Sequence, residues 1–259
     1  DTAMVVITRV GGEGADLPTD VSQVTYTNNS DEYNDFEPGE HYLQLSHTEE
    51  DMLALVCENF DNVVVVYNGA NAMELGFLNE YDQIKGALWC PGTGQSGFNA
   101  LGRILSGEVN PSGKTSDTFA ADLTATPTAN NFGSFFYDNT EEFNMEQVGF
   151  TGETEIVAPS FVNYVEGIYV GYRFWETAAD EGLINYDESV VYPFGYGLSY
   201  TTFTQEMGEI TESDGAVSFD VTVTNTGDVA GKDVGEVYYN PPYTNRGNEK
   251  ASANLIAFE

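Results

Sequence analysis

The sequence predicts an α/β fold: a partial, mostly parallel α/β sandwich followed by an incomplete antiparallel β-sandwich. Three observations predict it. Apolar runs of strand length alternate with helical patterns through the first half of the chain. Val63-Val64-Val65-Val66-Tyr67 is a continuous, mostly β-branched run, as a strand buried on both faces of a parallel sheet requires. Beyond Phe203 the hydrophobic period switches to two.

Taken in order, Met4-Val5-Val6-Ile7 reads as a buried strand running through Thr8-Arg9 into Gly11-Gly12-Glu13-Gly14. Residues 16–40 are polar, acidic and aperiodic, a long surface excursion of the kind that is more often functional than merely connecting. Ser46 and Glu49 have capping-box spacing, ahead of Met52, Leu53, Val56 and Phe60 on one helical face. After the 63–67 strand the pattern gives a helix over 72–79 and a strand over 84–90. A short helix over 98–105 is stopped by Gly107, and a turn follows at Asn110-Pro111-Ser112-Gly113. Strand and helix in alternation imply right-handed crossovers and a parallel sheet with helices on its faces.

Residues 122–160 are rich in Thr, Asn, Gly and aromatic side chains and have no period, so no element is assigned there. Residues 216–224 and 234–239 alternate with period two about a turn at Asn225-Thr226-Gly227-Asp228, and 254–258 reads as a further strand. The division expected is an α/β domain over 1–202 and a second, all-β domain over 203–259 that ends before it is complete.

A chain of 259 residues, 41% hydrophobic and 13% aromatic, is long enough to bury a core. Lys+Arg number 8 against Asp+Glu 42, a formal net charge of -34. Such a surface repels phosphate backbones and anionic lipid, which excludes nucleic acid and membrane as partners, and its ordinary reading is a solvated acidic skin. No apolar run approaches the ~20 residues of a membrane helix. Cys57 and Cys90 read as reduced, buried thiols, and no Cys/His spacing resembles a zinc site, so no metal is expected. No charged leader precedes the first strand; a soluble protein is expected, with the cytoplasm favoured over secretion.

Several motifs compete for a functional reading. Glu13 stands between glycines at the carboxyl end of a strand, where open α/β sheets place ligands and where a lone carboxyl group can act as acid or base; acidic residues on glycine-rich loops are also commonly just solvated. Gly92-Thr93-Gly94-Gln95-Ser96-Gly97 matches a dinucleotide fingerprint formally, with Asp117 about 20 residues on. Pro91 before it, the short helix after it and its place on a later strand favour a tight strand-to-helix turn. His41 and His47 bracket the start of the capped helix without any nucleophile elbow, which favours surface or capping roles. Arg9 and Arg173 are scarce cations expected to pair with surrounding acids, with a sugar-facing role as the alternative for Arg9.

Four groups of segments, in order, resemble the carboxyl-terminal half of family-3 glycoside hydrolases of the β-glucosidase type. They are Ile7-Thr8-Arg9-Val10-Gly11-Gly12-Glu13-Gly14-Ala15-Asp16; Trp89-Cys90-Pro91-Gly92 with the stretch from Gly107 to Lys114 and Thr118-Phe119; Tyr164-Val165-Glu166-Gly167-Ile168-Tyr169-Val170-Gly171-Tyr172-Arg173-Phe174; and the stretch Tyr192-Pro193-Phe194-Gly195-Tyr196-Gly197-Leu198-Ser199-Tyr200 with Thr201-Thr202-Phe203. Residues 221–231 look like the start of the family's fibronectin-type-III-like domain. The resemblance implies a retaining β-glycosidase in which Glu13 is the acid/base and Arg9 and Asp16 contact substrate or orient Glu13. The nucleophilic Asp would lie in a (β/α)8 barrel outside this chain. It implies β-linked oligosaccharide or aryl and alkyl glycoside substrates, no cofactor and no dinucleotide at the glycine turn, and it is compatible with a homo-oligomer. Residues 122–160 look like an insertion, and the sandwich's opening strands are not found before Met4. A non-catalytic carbohydrate-binding or scaffolding relative is the alternative.

Overall fold

The computed structural model describes residues 1–9, 35–131, 135–149 and 151–259. Glu13 and Asp16 lie outside the described residues. Strands β1 (Thr2–Thr8), β2 (Asn62–Asn68) and β3 (Ile84–Trp89) form a parallel sheet in the order β1-β2-β3. Val5 pairs with Val65 and Val65 with Ala87, so these three point to one face. Helix α1 (His47–Asn59) makes the crossover from β1 to β2 and packs with that face. Val5, Ile7, Val63, Val65, Tyr67, Leu53, Cys57, Met73, Phe77 and Phe119 form one buried cluster. Each aliphatic side chain buried there contributes roughly 1.5–3 kcal/mol relative to exposure.

The β2 expectation holds, with Val63, Val65 and Val66 at most 1% exposed. β1 differs in being covered on one face: Val5 and Ile7 are buried while Met4 and Val6, on the opposite face, are 55% and 46% exposed. On α1 the buried stripe centres on Leu53 and Cys57, and Met52 and Phe60 lie at its exposed margins. The 72–79 helix is absent save for a 3-10 turn at Gly76–Asn79. Met73, Leu75, Phe77 and Leu78 are all buried in the cluster beside the sheet, and burying them there overrides the local helical pattern. Helix α2 (Phe98–Leu105) ends as expected, with Gly107 at φ +77 donating its N–H to the Ile104 carbonyl.

β4 (Phe119–Ala120) sets Phe119 edge-on against Trp89, ring centroids 5.1 Å apart. The stretch 122–160, unassigned from sequence, holds three 3-10 turns among its described residues and, closing at Phe161, a nested ribbon. Its inner hairpin is β6 (Met145–Val148) with β7 (Thr154–Val157), and its base is β5 (Phe135–Phe136) with β8 (Ser160–Phe161). Asn131 donates a short hydrogen bond to the buried Glu166 carboxylate, tying the two sides of the ribbon's root together. Helices α3 (Tyr172–Asp180) and α4 (Tyr186–Ser189) follow, and β9 (Val190–Tyr192) returns to pair with β4.

The later strands are antiparallel, as the period-two pattern predicts. β10 (Phe203–Met207) pairs with β13 (Val221–Asn225), β11 (Thr211–Ser213) with β12 (Ala216–Ser218), and β14 (Glu236–Tyr239) with β15 (Asn254–Phe258). The motif residues hold these strands to the first part of the chain. Asn110 donates to the Ala230 carbonyl at 3.0 Å and accepts from the Ser199 hydroxyl at 2.9 Å and the Tyr200 N–H at 2.7 Å. Lys114 bonds the Gly197 carbonyl at 2.8 Å and pairs with Asp233 at 3.0 Å. Gly195 sits at φ +79, in the left-handed region that favours glycine, with the Glu236 carboxylate packed beside it.

Candidate functional site

The carboxyl ends of the three parallel strands are stitched side by side. Arg9 donates its backbone N–H to Asn68, Asn68 donates its side-chain amide to the Cys90 carbonyl at 2.7 Å, and Cys90 donates its N–H to Tyr67. Trp89 Nε1 reaches the Gly69 carbonyl at 2.8 Å, and the Tyr67 hydroxyl the Asn71 carbonyl at 2.8 Å. Burial pushes the Tyr67 phenol up to about 12 although the Arg9 charge pulls it down, so it stays a donor. Open α/β sheets place their ligands at this edge. Here the chain leaves β1 toward residues 10–34, β2 toward Gly69, and β3 toward the glycine turn.

Arg9 is buried, with a side chain only 3% exposed. Its five N–H donors are all taken by protein oxygens. Nε donates to the Tyr42 carbonyl; Nη1 to the Thr8 carbonyl at 2.9 Å and Glu49 Oε1 at 2.7 Å; Nη2 to the Gln44 carbonyl and to Glu49 Oε2 at 2.6 Å. The Tyr42 ring lies 5.2 Å from the guanidinium. A bidentate arginine–carboxylate pair of this kind fixes geometry as well as charge. Glu49 Oε2 also accepts the Ser46 N–H at 3.0 Å, while Ser46 Oγ accepts the Glu49 N–H at 3.3 Å. One carboxylate thus closes the expected capping box and holds the end of β1.

Asp35 meets the same turn. Its carboxylate accepts the Thr48 N–H at 2.8 Å and a hydrogen bond from Ser46, and its carbonyl accepts the His47 N–H at 3.1 Å. Burial raises the carboxyl's affinity for a proton, but the bonds from Ser46 and Thr48 and the nearby His47 outweigh it and leave Asp35 below the ordinary carboxylate value. His41 accepts the Leu43 N–H at Nδ1, which places the proton of the neutral ring on Nε2, 3.0 Å from Glu74 Oε1. The same Glu74 oxygen accepts the Leu123 N–H at 2.8 Å, linking this loop to the root of the 122–161 segment. His47 stands 3.9 Å from Glu40 at the surface.

The glycine segment is a turn in which Gly97 donates its N–H to the Thr93 carbonyl at 3.0 Å. Both thiols are free, Cys57 buried and Cys90 half-buried, and burial raises both above the ordinary thiol value, the opposite of a reactive cysteine. Arg173 stacks over the Tyr172 ring at 5.5 Å and makes none of the expected ion pairs among the described residues. Among the described residues no group of His, Cys, Asp or Glu is arranged to hold a metal ion, and no helix is long and apolar enough to cross a membrane. Of the residues the sequence singles out for the site, the structure places Arg9 alone; Glu49, Asp35 and Glu74 join it. Glu49 was visible only as a cap, and Asp35 and Glu74 carried no local signal.

The sheet, its stitched carboxyl edge and the loops leaving it define the first part of the chain as an α/β domain of the open-sheet class. Residues 1–172 match the glycosyl hydrolase family 3 C-terminal domain. β-Glucosidase A of Butyrivibrio fibrisolvens is 35% identical over 93% of this chain and 28% of its own length. A β-glucosidase of Ruminococcus albus is 31% identical over 100% of this chain and 22% of its own. Among solved structures, a β-glucosidase from Paenibacillus barengoltzii superposes with a TM-score of 0.73 at 30% identity, covering 100% of this chain and 23% of that one. β-Glucosidase 3B from Thermotoga neapolitana, in complex with glycerol, gives 0.72 at 29% identity, covering 100% of this chain and 30% of that one. The chain belongs to glycoside hydrolase family 3. It spans about a quarter of the length of the curated relatives it matches.

Proposed function

We propose that this chain is the acid/base-bearing part of a retaining β-glucosidase, with Glu13 as the general acid/base. The observation that carries the reading is a sequence motif, Gly12-Glu13-Gly14, whose Glu follows by four residues in the chain the buried Arg9, itself at the carboxyl edge of a parallel sheet in a family-3 domain. A retaining glycosidase needs two carboxyl groups roughly 5 Å apart. In the first step a carboxylate from a (β/α)8 barrel of the same protein bonds to the anomeric carbon. The glycosidic C–O bond breaks, and the Glu13 proton goes to the leaving oxygen. In the second step water attacks the glycosyl-enzyme ester, its proton returns to Glu13, and the nucleophile is released. The chemistry uses two carboxyl groups and water, and no cofactor is assigned.

Within this reading Asp16 contacts the sugar or orients Glu13. Arg9 takes the orienting role, since a sugar hydroxyl would have to displace one of five acceptors already in place. The substrates are terminal β-linked glucosides and related glycosides. Residues 203–259 belong to a fibronectin-type-III-like domain following the α/β sandwich of residues 1–202. The test is hydrolysis of an aryl β-glucoside by the full-length enzyme containing this chain, wild type against Glu13→Ala, with and without azide. A slow second step rescued by azide, giving a glycosyl azide of retained β configuration, is expected; unchanged kinetics would move the role to another acid.

A further inference from the structure

We propose that the groove between residues 167–173 and the β14–β15 pair with its connection is a binding site for a neutral saccharide. The groove has a volume of about 430 Å3, within the range of ~300 to ~1,000 Å3 usual for small-molecule sites. Arg173 lines it and sets its chemistry. This residue is half-buried, its guanidinium stacks over the Tyr172 ring at 5.5 Å, and it makes no hydrogen bond or ion pair among the described residues. The other cations differ. Arg9 has all five donors engaged, Arg103 and Lys114 pair with Glu108 and Asp233, Lys85 and Lys250 donate to carbonyls, and Lys232 and Arg246 stand in solvent. A guanidinium already held against an aromatic face keeps its planar fork ordered, so little freedom is left to lose when an acceptor arrives.

Glu249 lines the same groove and makes no ion pair with Arg173. The groove therefore presents a group that only donates and a group that only accepts, each unmet by the other. Asn254 adds a second acceptor, because its amide N–H groups go to the Tyr239 and Ala251 carbonyls and leave Oδ1 over. Vicinal hydroxyls answer all three, since each hydroxyl both donates and accepts. Ile168, Val170 and Tyr239, 43%, 47% and 52% exposed, supply the apolar surface that small-molecule sites combine with a few polar groups, and the C–H face of a pyranose ring suits it. Charge selects a neutral ligand. A net charge of -34 and Glu249 within the groove oppose an anion, while Arg173 and Lys250 repel a cation.

Photo-cross-linking reads where on the chain a sugar binds. The full-length enzyme containing this chain is irradiated with a diazirine-bearing thiocellobioside, whose sulfur linkage resists hydrolysis, and the labelled peptides are identified by mass spectrometry. Labelling within 167–173 and 236–254, suppressed by excess thiocellobiose, is expected. Arg173→Met, Tyr239→Ala and Glu249→Ala should each lower that labelling about fivefold to tenfold, and Lys232→Gln, an exposed cation outside the groove, should leave it unchanged. A glucuronide carrying the same diazirine should label the groove less than the neutral probe. Circular dichroism checks the fold of each variant; Glu249 is exposed, so Glu249→Ala decides the matter where Arg173→Met or Tyr239→Ala fails to fold. The proposal is overturned if these peptides stay unlabelled, if excess thiocellobiose does not suppress the label, or if no folded groove variant lowers it. Stronger labelling by the glucuronide overturns it in favour of an anion site.

Discussion

Glu49 grips Arg9 with both carboxylate oxygens, at 2.7 and 2.6 Å, while completing the capping box of α1 with the same group. The end of the first parallel strand and the start of the first crossover helix are therefore one electrostatic unit. That unit sits at the sheet edge from which the proposed catalytic segment departs.

Arg9→Met removes the cation, leaving the Glu49 carboxylate, only 22% exposed, with the Ser46 N–H but no guanidinium, and the Tyr42 and Gln44 carbonyls without the Arg9 donors. Breaking one side of a buried pair costs about 3–5 kcal/mol, and the partial exposure of Glu49 puts the expected loss near the lower end. Denaturant unfolding of the variant checks it; a loss under about 1 kcal/mol would mean that solvent already screens the pair.

Asp35 carries a pH dependence. Its folded-state pKa lies below the ordinary value, so it contributes stability above the unfolded carboxyl pKa, and that contribution is lost as pH falls through the lower folded value. Melting temperatures from about pH 6 down to about pH 2, roughly the acid window of a carboxyl group, should fall less steeply for Asp35→Asn than for wild type. Parallel curves would remove Asp35 from the acid sensitivity.

Asn110 joins the first part of the chain to the antiparallel strands with three hydrogen bonds. Asn110→Ala leaves the Tyr200 N–H and Ala230 carbonyl, both exposed, to water, at an expected cost of about 0.5–1.5 kcal/mol. Amide exchange should report it as faster exchange in β10 and β13 with α1 and β2 unchanged. Uniform acceleration across the chain would make the effect global instead.

The chain by itself is expected to turn over no aryl β-glucoside, because the proposed nucleophile lies in a barrel that these 259 residues do not contain. Purified chain is assayed at rising concentration. Turnover proportional to concentration would show that a second carboxyl group of this chain serves as nucleophile.

Much of the fold was legible because its determinants are local. A β-branched run gives β2, Ser46 and Glu49 give the start of α1, Gly107 gives the end of α2, and alternation gives the antiparallel strands. The errors came where burial is set from a distance. Residues 72–79 carry a helical pattern, yet only Gly76–Asn79 form a 3-10 turn, and Met73, Leu75, Phe77 and Leu78 are drawn into the core without an α-helix. Residues 122–161 have no period because their ribbon largely exposes its faces: Phe136, Met145, Val148 and Ile156 all stand in solvent.

For the site, the sequence by itself determined the family motifs, the Gly12-Glu13-Gly14 segment and its place after a strand, since motif and strand are written in consecutive residues. Only the tertiary structure decided which acid Arg9 meets. Forty-two acidic side chains were available, and sequence spacing ranks none of them for a cation at a strand end. The parallel crossover brings α1 back beside β1, and there Glu49 is already oriented by its own helix cap, so pairing costs little further side-chain entropy. An ion pair is chosen by topology and preorganisation, and neither is a property of neighbouring residues in the chain.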